Sequence, residues 1–169
     1  MREVICFHNP DEVNGYLSNW YLSDFEVGGI RFTSMEQYMM YQKACVFGDD
    51  KAARQILNTS DVGKIKALGR TVKNYEEVIW NGIRQIVVYE GLLEKFRQNS
   101  ELKEKLLATG GNILAECAVQ DKIWGIGLSM KDEKRFDRKE WKGQNLLGFS
   151  IMKVRDSLRR YTTDRQDLQ

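Results

Sequence analysis

Between Asp24 and Phe32 of this 169-residue chain apolar residues alternate with polar ones on either side of a glycine pair, and after that stretch they recur about every 3.6 positions. That change of period decides most of what the chain can fold into. Asp24-Phe25-Glu26-Val27 and Ile30-Arg31-Phe32 are two alternating runs around Gly28-Gly29, the spelling of a small hairpin. Glu3 to Phe7 reads as a further short strand. Thr33 followed by Glu36 spells a capping box, which starts a helix to about Phe47 that Gly48 stops. Helices are then predicted over Asp50 to Leu57, from Ser60 to Leu68-Gly69, and over Asn74 to Gln98. The last is expected to be the central buried helix, with Tyr75, Ile79, Gly82, Ile86, Tyr89, Leu93 and Phe96 on its inner stripe. Ser100 opens a shorter helix that Gly110-Gly111 ends. Asn112 to Ala118 reads as a strand, and Leu146 to Arg160 as a closing amphipathic helix. With one proline and no low-complexity stretch, no linker is visible. The expected fold class is α+β, a mostly α-helical single domain over residues 1–160 with a small β-sheet, followed by a polar tail over 161–169.

Composition narrows the chemistry. His8 is the only imidazole, which excludes a three-His or HExxH metal site and any triad that needs a His elsewhere. Cys6, Cys45 and Cys117 are odd in number and contain no CxxC pair, which argues against a disulfide framework or structural zinc and for a reducing compartment. Catalysis must therefore lean on carboxylates, Lys, Arg or Tyr. A balance of 26 Lys+Arg against 24 Asp+Glu gives no bulk charge for nucleic-acid binding, although a local basic patch stays open. No signal peptide and no run of ~20 apolar residues is present, so a cytoplasmic protein without a membrane partner is expected.

On the helix after the hairpin, Glu36 and Lys43 are seven residues apart and so lie within about 20° of each other, two turns along one face. Tyr38 and Gln42 flank that face. A carboxylate and an amine converging on one pocket supply an acid/base and a nucleophile. The alternative is that Glu36 only closes the capping box and Lys43 is a solvated end-of-helix cation. Glu116 shares a strand face with Leu114 and Ala118, which places it either in water at a sheet edge or in a cavity with a partner. Two segments, Asp121 to Gly127 and Trp141 to Gly148, set Trp beside Gly in irregular chain, an arrangement that suits stacking of a planar base. Gly125-x-Gly127 alone does not make a phosphate loop. Arg70 either clamps a phosphate or is an ordinary surface cation. The charged stretch Lys131 to Lys142 is either a solvated loop or a lid.

Leu17-Ser18-Asn19-Trp20, Ser34-Met35-Glu36-Gln37-Tyr38 through Gln42-Lys43-Ala44, Gly69-Arg70, Trp80, Glu116 with Asp121 to Gly127, and Gly143 to Gly148 followed by Met152 and Arg155 run in one order along the chain. This ordered set resembles the YbiA-like, or NADAR, family. Departures fall at Trp20, where the family usually has Phe, at Gln37, where it has His, and in the longer charged stretch after Gly125.

The resemblance implies hydrolysis of an N-glycosidic bond between a ribose anomeric carbon and an exocyclic amine. Members of the family act on phosphoribosylamino-pyrimidine intermediates of riboflavin synthesis or remove ADP-ribose from guanine in nucleic acid. It further implies catalytic roles for Lys43 as an imine-forming nucleophile and Glu36 as acid/base, with Asp121 or Glu116 orienting the amine or activating water. Asn19, Trp20, Tyr38, Gln42, Arg70, Trp124, Gly125, Gly127 and Asn145 then bind substrate, Trp124 by stacking and Arg70, Asn145 and the Gly125–Gly127 backbone at phosphate or ribose. In a direct route, Glu36 or Glu116 activates water on an oxocarbenium-like carbon and Lys43 acts only as a charge. No metal or cofactor is implied. The expected partner is a small nucleotide-like substrate or ADP-ribosylated guanine in nucleic acid, and a paired toxin stays unassigned. A non-catalytic nucleotide or ADP-ribose binding module is the competing class; it requires the stacking and phosphate contacts but not Glu36 and Lys43 together.

Overall fold

The computed structural model describes residues 3–166, with side chains described as far as residue 160. Its elements in chain order are β1 (Val4–Phe7), β2 (Leu22–Val27), β3 (Ile30–Ser34), α1 (Met35–Val46), α2 (Asp50–Leu57), α3 (Val62–Arg70), α4 (Glu77–Gln98), α5 (Ser100–Ala108), β4 (Ile113–Glu116) and α6 (Leu146–Gln166). The α+β class expected from the sequence holds. The strands, however, form two separate pairs, β1 parallel to β4 and β2 antiparallel to β3.

The chain groups into two compact units, one made of residues 19–98 and the other of the segments before and after it. In the unit of residues 19–98, Gly28 and Gly29 both take positive φ (58° and 80°), the turn that joins two right-twisted strands most directly. β2 and β3 extend the expected hairpin at both ends and are irregular between Leu22 and Phe25. Phe25, Phe32 and Tyr38 pack ring to ring at 5.1–6.0 Å and anchor α1 on the hairpin. Gly48, at φ 67°, ends α1 as expected.

α4 departs from expectation. Ile79 and Ile86 of the predicted inner stripe are exposed, at 44% and 61%, and the buried positions are Trp80, Val88, Gly91, Leu92, Lys95 and Phe96. The helix carries apolar residues on more than one face, so periodicity alone cannot say which face α1 and β2 will cover. α1 reaches it at Gly91, against Tyr38 and Met35, and β2 at Gln98, which bonds the Glu26 backbone, so both pack on its C-terminal half.

In the other unit, β1 and β4 pair in register from Val4↔Ile113 to Phe7↔Glu116. Such a parallel pair needs a long crossover, which the whole of residues 19–98 and α5 supply. Gly148 lets α6 lie against β4: a Cβ there would collide with the Leu114 carbonyl. The closing helix continues past Arg160 to Gln166, over the start of the expected tail, whose residues 167–169 lie outside the described residues. The charged stretch 131–142 contains two short 3-10 turns, Glu133–Phe136 and Arg138–Glu140, each begun by an Asp (Asp132, Asp137) whose carboxylate accepts a backbone N–H. Trp141 Nε1 donates to Arg135 O at 2.9 Å and closes this stretch on itself. Among the described residues no helix is long and apolar enough to cross a membrane.

Candidate active site

α1 is started by a capping box one residue later than the sequence suggests. Ser34 Oγ accepts from Gln37 N at 3.1 Å, and Gln37 Oε1 reaches back to Thr33 N at 2.7 Å. The other end of Gln37 donates to Ile56 O and Thr59 O at 3.0 and 2.9 Å, tying the start of α1 to the end of α2. The consequence falls on Glu36. It is not the capping carboxylate, and its side chain is buried, with 5% exposure. Its backbone N–H donates to Asn19 O at 2.9 Å, so the Ser18-Asn19-Trp20 segment is pinned against the first turn of the helix. Asn19 is itself buried, and its Oδ1 is sealed from solvent without a hydrogen-bond partner among the described residues. Such an acceptor is suited to a ligand N–H or O–H.

Two turns along the same helix, Lys43 is half-buried rather than solvated. Its Nζ donates to Gly69 O at 2.7 Å and lies 4.3 Å from the centre of the Tyr75 ring. Burial holds its pKa below the ordinary lysine range, which raises the fraction of neutral, nucleophilic amine. Gly69 permits this geometry, because a Cβ there would run into the Met40 side chain and force α3 away from α1. Trp20 is half-buried with Lys66 Nζ 5.5 Å from its ring, Gln42 is half-buried, and Arg70 is exposed at the end of α3. Tyr38 does not flank this face. At 1% exposure its ring belongs to the Phe25–Phe32 core, and burial, with Glu90 and Glu94 adding, pushes its phenol up to about 12. It supports α1 from behind.

The unit that holds β1 and β4 gathers a second group of the expected residues. Glu116 ends β4, is half-buried and has one carboxylate oxygen sealed from solvent, so it is not a solvated edge residue. Asn145, completely buried at φ 54°, fills the free side of β4: its Nδ2 donates to Leu114 O at 2.9 Å and its Oδ1 accepts from Glu116 N at 3.0 Å. The side chain stands in for a neighbouring strand and fixes the backbone that carries Glu116. The expected ribose or phosphate contact at Asn145 is replaced by this clamp, because a fully buried amide bonded at both ends has no face to offer.

Asp121 Oδ1 accepts from Ile123 N and Trp124 N at 3.0 and 2.8 Å and so shapes the turn that presents Trp124, which is half-buried. The glycines that follow serve packing. A Cβ at Gly125 would strike Ala118 and the Glu116 carbonyl, and Gly127 turns at φ 71° against Lys142 and Gly143. Ile126 N and Lys142 N donate to Glu116 O and Ile126 O, both at 2.8 Å. Leu146 N and Leu147 N, at the start of α6, donate to Ile123 O and Trp124 O. Within the Gly125–Gly127 segment the Ile126 amide is thus engaged inside the protein.

Sequence reading missed two groups at Lys43, the Gly69 carbonyl and the Tyr75 ring, and a tether through Asp49 to the loop that carries Tyr75. Asp49 Oδ1 caps α2 through Ala52 N at 3.1 Å, while its Oδ2 accepts from Lys73 N at 2.9 Å. An Asp just before Asp50 is a readable N-cap signal; its second bond, across 24 residues, leaves no local trace. Among the described residues no three His, Cys, Asp or Glu side chains are grouped as a metal ion would require.

The chain is 40% identical over 162 residues to an N-glycosidase of Acanthamoeba polyphaga mimivirus, covering 91% of this chain and 95% of that protein. It is 32% identical over 161 residues to a riboflavin biosynthesis protein of Vibrio vulnificus, covering 95% of this chain and 40% of the relative. The solution structure of Escherichia coli YbiA superposes with a TM-score of 0.80 at 27% identity, covering 96% of this chain and 89% of YbiA. The NADAR domain model matches residues 6–159, both units of the chain together, and the protein belongs to the NADAR domain family.

Proposed function

We propose that the protein is an N-glycosidase that hydrolyses the bond between a ribose anomeric carbon and an exocyclic base amine. The observation that carries this reading is the pair on α1: a half-buried Lys43 amine with a lowered pKa, and a buried Glu36 carboxyl on the same helix face. The name of one relative, an N-glycosidase, supports an N-glycosidic bond as the target, and another relative is a riboflavin biosynthesis protein. The substrates that fit are ADP-ribosylated guanine in nucleic acid and phosphoribosylamino-pyrimidines.

In both, the ribose ring opens to an imine at C1. The neutral Lys43 amine adds to C1, and the base amine leaves with a proton supplied by Glu36. Water then adds to the lysine imine, which releases the sugar and restores the amine. Burial of Lys43 raises the fraction of the amine that is neutral and able to start this sequence.

Borohydride added during turnover is the test. A substrate-dependent sugar adduct on Lys43, and loss of turnover in Lys43→Ala, are expected. An active Lys43→Ala without an adduct would leave only the direct route, with Glu36 activating water. Tight binding of ADP-ribosylated guanine DNA without release of sugar would make the protein a reader instead. Offering that DNA and the ribosylamino-pyrimidine phosphates in parallel identifies the substrate.

A further inference from the structure

We propose that Tyr75, on the loop between α3 and α4, is a positioning residue for the Lys43 amine. A neutral amine has two N–H bonds and one lone pair, and only the lone pair attacks a carbon. Gly69 O takes one N–H at 2.7 Å. The face of the Tyr75 ring, 4.3 Å from Nζ, receives the second, or the ammonium charge before deprotonation. With both N–H directions taken by fixed partners, the lone pair is left to point in the remaining direction. Without the ring the amine turns about the single bond to Gly69 O and samples unproductive orientations.

The ring is well placed for this task because it packs on Phe47 and the two residues before it are tied to the end of α1 and the residues just after it. It packs edge-on against Phe47 at 5.3 Å, and Phe47 is the residue that ends α1. Asn74, in the left-handed region at φ 56°, directs its side-chain amide to Phe47 O. Lys73 N donates to Asp49 Oδ2, and those backbone bonds hold the Asp49 carboxyl below its usual range, so the tether stays ionised. Lys43, Phe47 and Asp49 all lie on or just after the last turns of α1. The loop is therefore stitched to the same stretch of chain that carries the amine, and the spacing between ring and Nζ is set over a short path. Tyr75 is nevertheless 43% exposed, more than a ring kept for core packing would be.

The inference rests on Lys43 being the nucleophile, and the experiment separates the two ideas. Lys43 is labelled with acetic anhydride, without substrate, over a range of pH in the wild type, Tyr75→Leu and Tyr75→Phe, and its modification is followed by peptide mass spectrometry. Turnover is measured on the same proteins. Tyr75→Leu keeps the apolar cover but not the ring face. The expected result is a shifted pH profile of Lys43 labelling and a kcat lower by about two- to fivefold, the range a weak N–H···π hydrogen bond spans, with KM nearly unchanged. Tyr75→Phe, which keeps the ring face, is expected to restore both. An unchanged labelling profile in Tyr75→Leu, or a loss confined to KM, overturns the proposal. If the labelling profile shifts but borohydride traps no adduct in the wild type, Tyr75 positions the amine as proposed and the imine route itself fails.

Discussion

Replacing Asn145 with Ala tests whether that side chain belongs to the fold or to the substrate. Its amide bonds Leu114 O and Glu116 N in a place where neither Asn145 nor Leu114 is reached by solvent. Removing it leaves one carbonyl and one N–H of β4 unsatisfied, and each such group costs about 1–3 kcal/mol. Asn145 also sits at φ 54°, where Ala is less favourable by about 1–2 kcal/mol. The two effects together predict a loss of about 3–8 kcal/mol, a large part of the 5–15 kcal/mol that typically holds a domain together. Urea unfolding followed by far-UV circular dichroism measures it. Asn145→Gly loses the same two bonds without the backbone strain, and is expected to recover about 1 kcal/mol relative to Ala. A loss below about 1 kcal/mol in Asn145→Ala, combined with collapse of turnover, would refute the clamp and return Asn145 to the ligand contacts.

Three further outcomes are expected. Lys95 is fully buried and burial lowers its pKa to about 7, against about 10.4 in the unfolded chain. Between those values the unfolded chain holds a proton that the folded one lacks, so stability rises with pH by up to about 1.4 kcal/mol per unit and is flat below the window. Lys95→Met should abolish that rise, and parallel stability–pH curves for the two proteins would show that Lys95 titrates normally. A Cβ at Gly91 would collide with the Tyr38 ring while one at Gly82, on the same helix, meets open space. Gly91→Ala should therefore destabilise by about 1–3 kcal/mol and Gly82→Ala stabilise by about 0.5–1 kcal/mol, with equal effects counting against the core role of Tyr38. His8→Gln should leave turnover intact, since His8 belongs to neither residue group; a collapse in rate with the fold preserved would overturn the site assignment.

Local chemistry explains what was legible in the chain. Gly28-Gly29 specified the hairpin turn, Gly48 the end of α1, and Gly110-Gly111 the end of α5, because each is a demand for positive φ or a helix stop that short-range sterics impose. The same locality misled at Thr33 and Glu36. Two overlapping capping boxes are spelled at the start of α1, and the one with Gln37 prevailed because Gln37 also bonds the end of α2. The α4 stripe misled for a related reason: several apolar faces compete on one helix, and its partners choose among them.

By itself the sequence determined the fold class, the family, and the placing of Glu36 and Lys43 on one face of one helix, since helical geometry turns a seven-residue spacing into proximity. Only the tertiary structure decided whether that lysine is solvated or half-buried, with its pKa lowered. Its partners, Gly69 O and the Tyr75 ring, lie on segments that nothing local ties to α1, and their approach depends on a glycine fitting against Met40 and on Asp49 reaching Lys73. A pKa depends on what surrounds a group in space. Spacing along the chain could nominate Lys43; only packing could desolvate it.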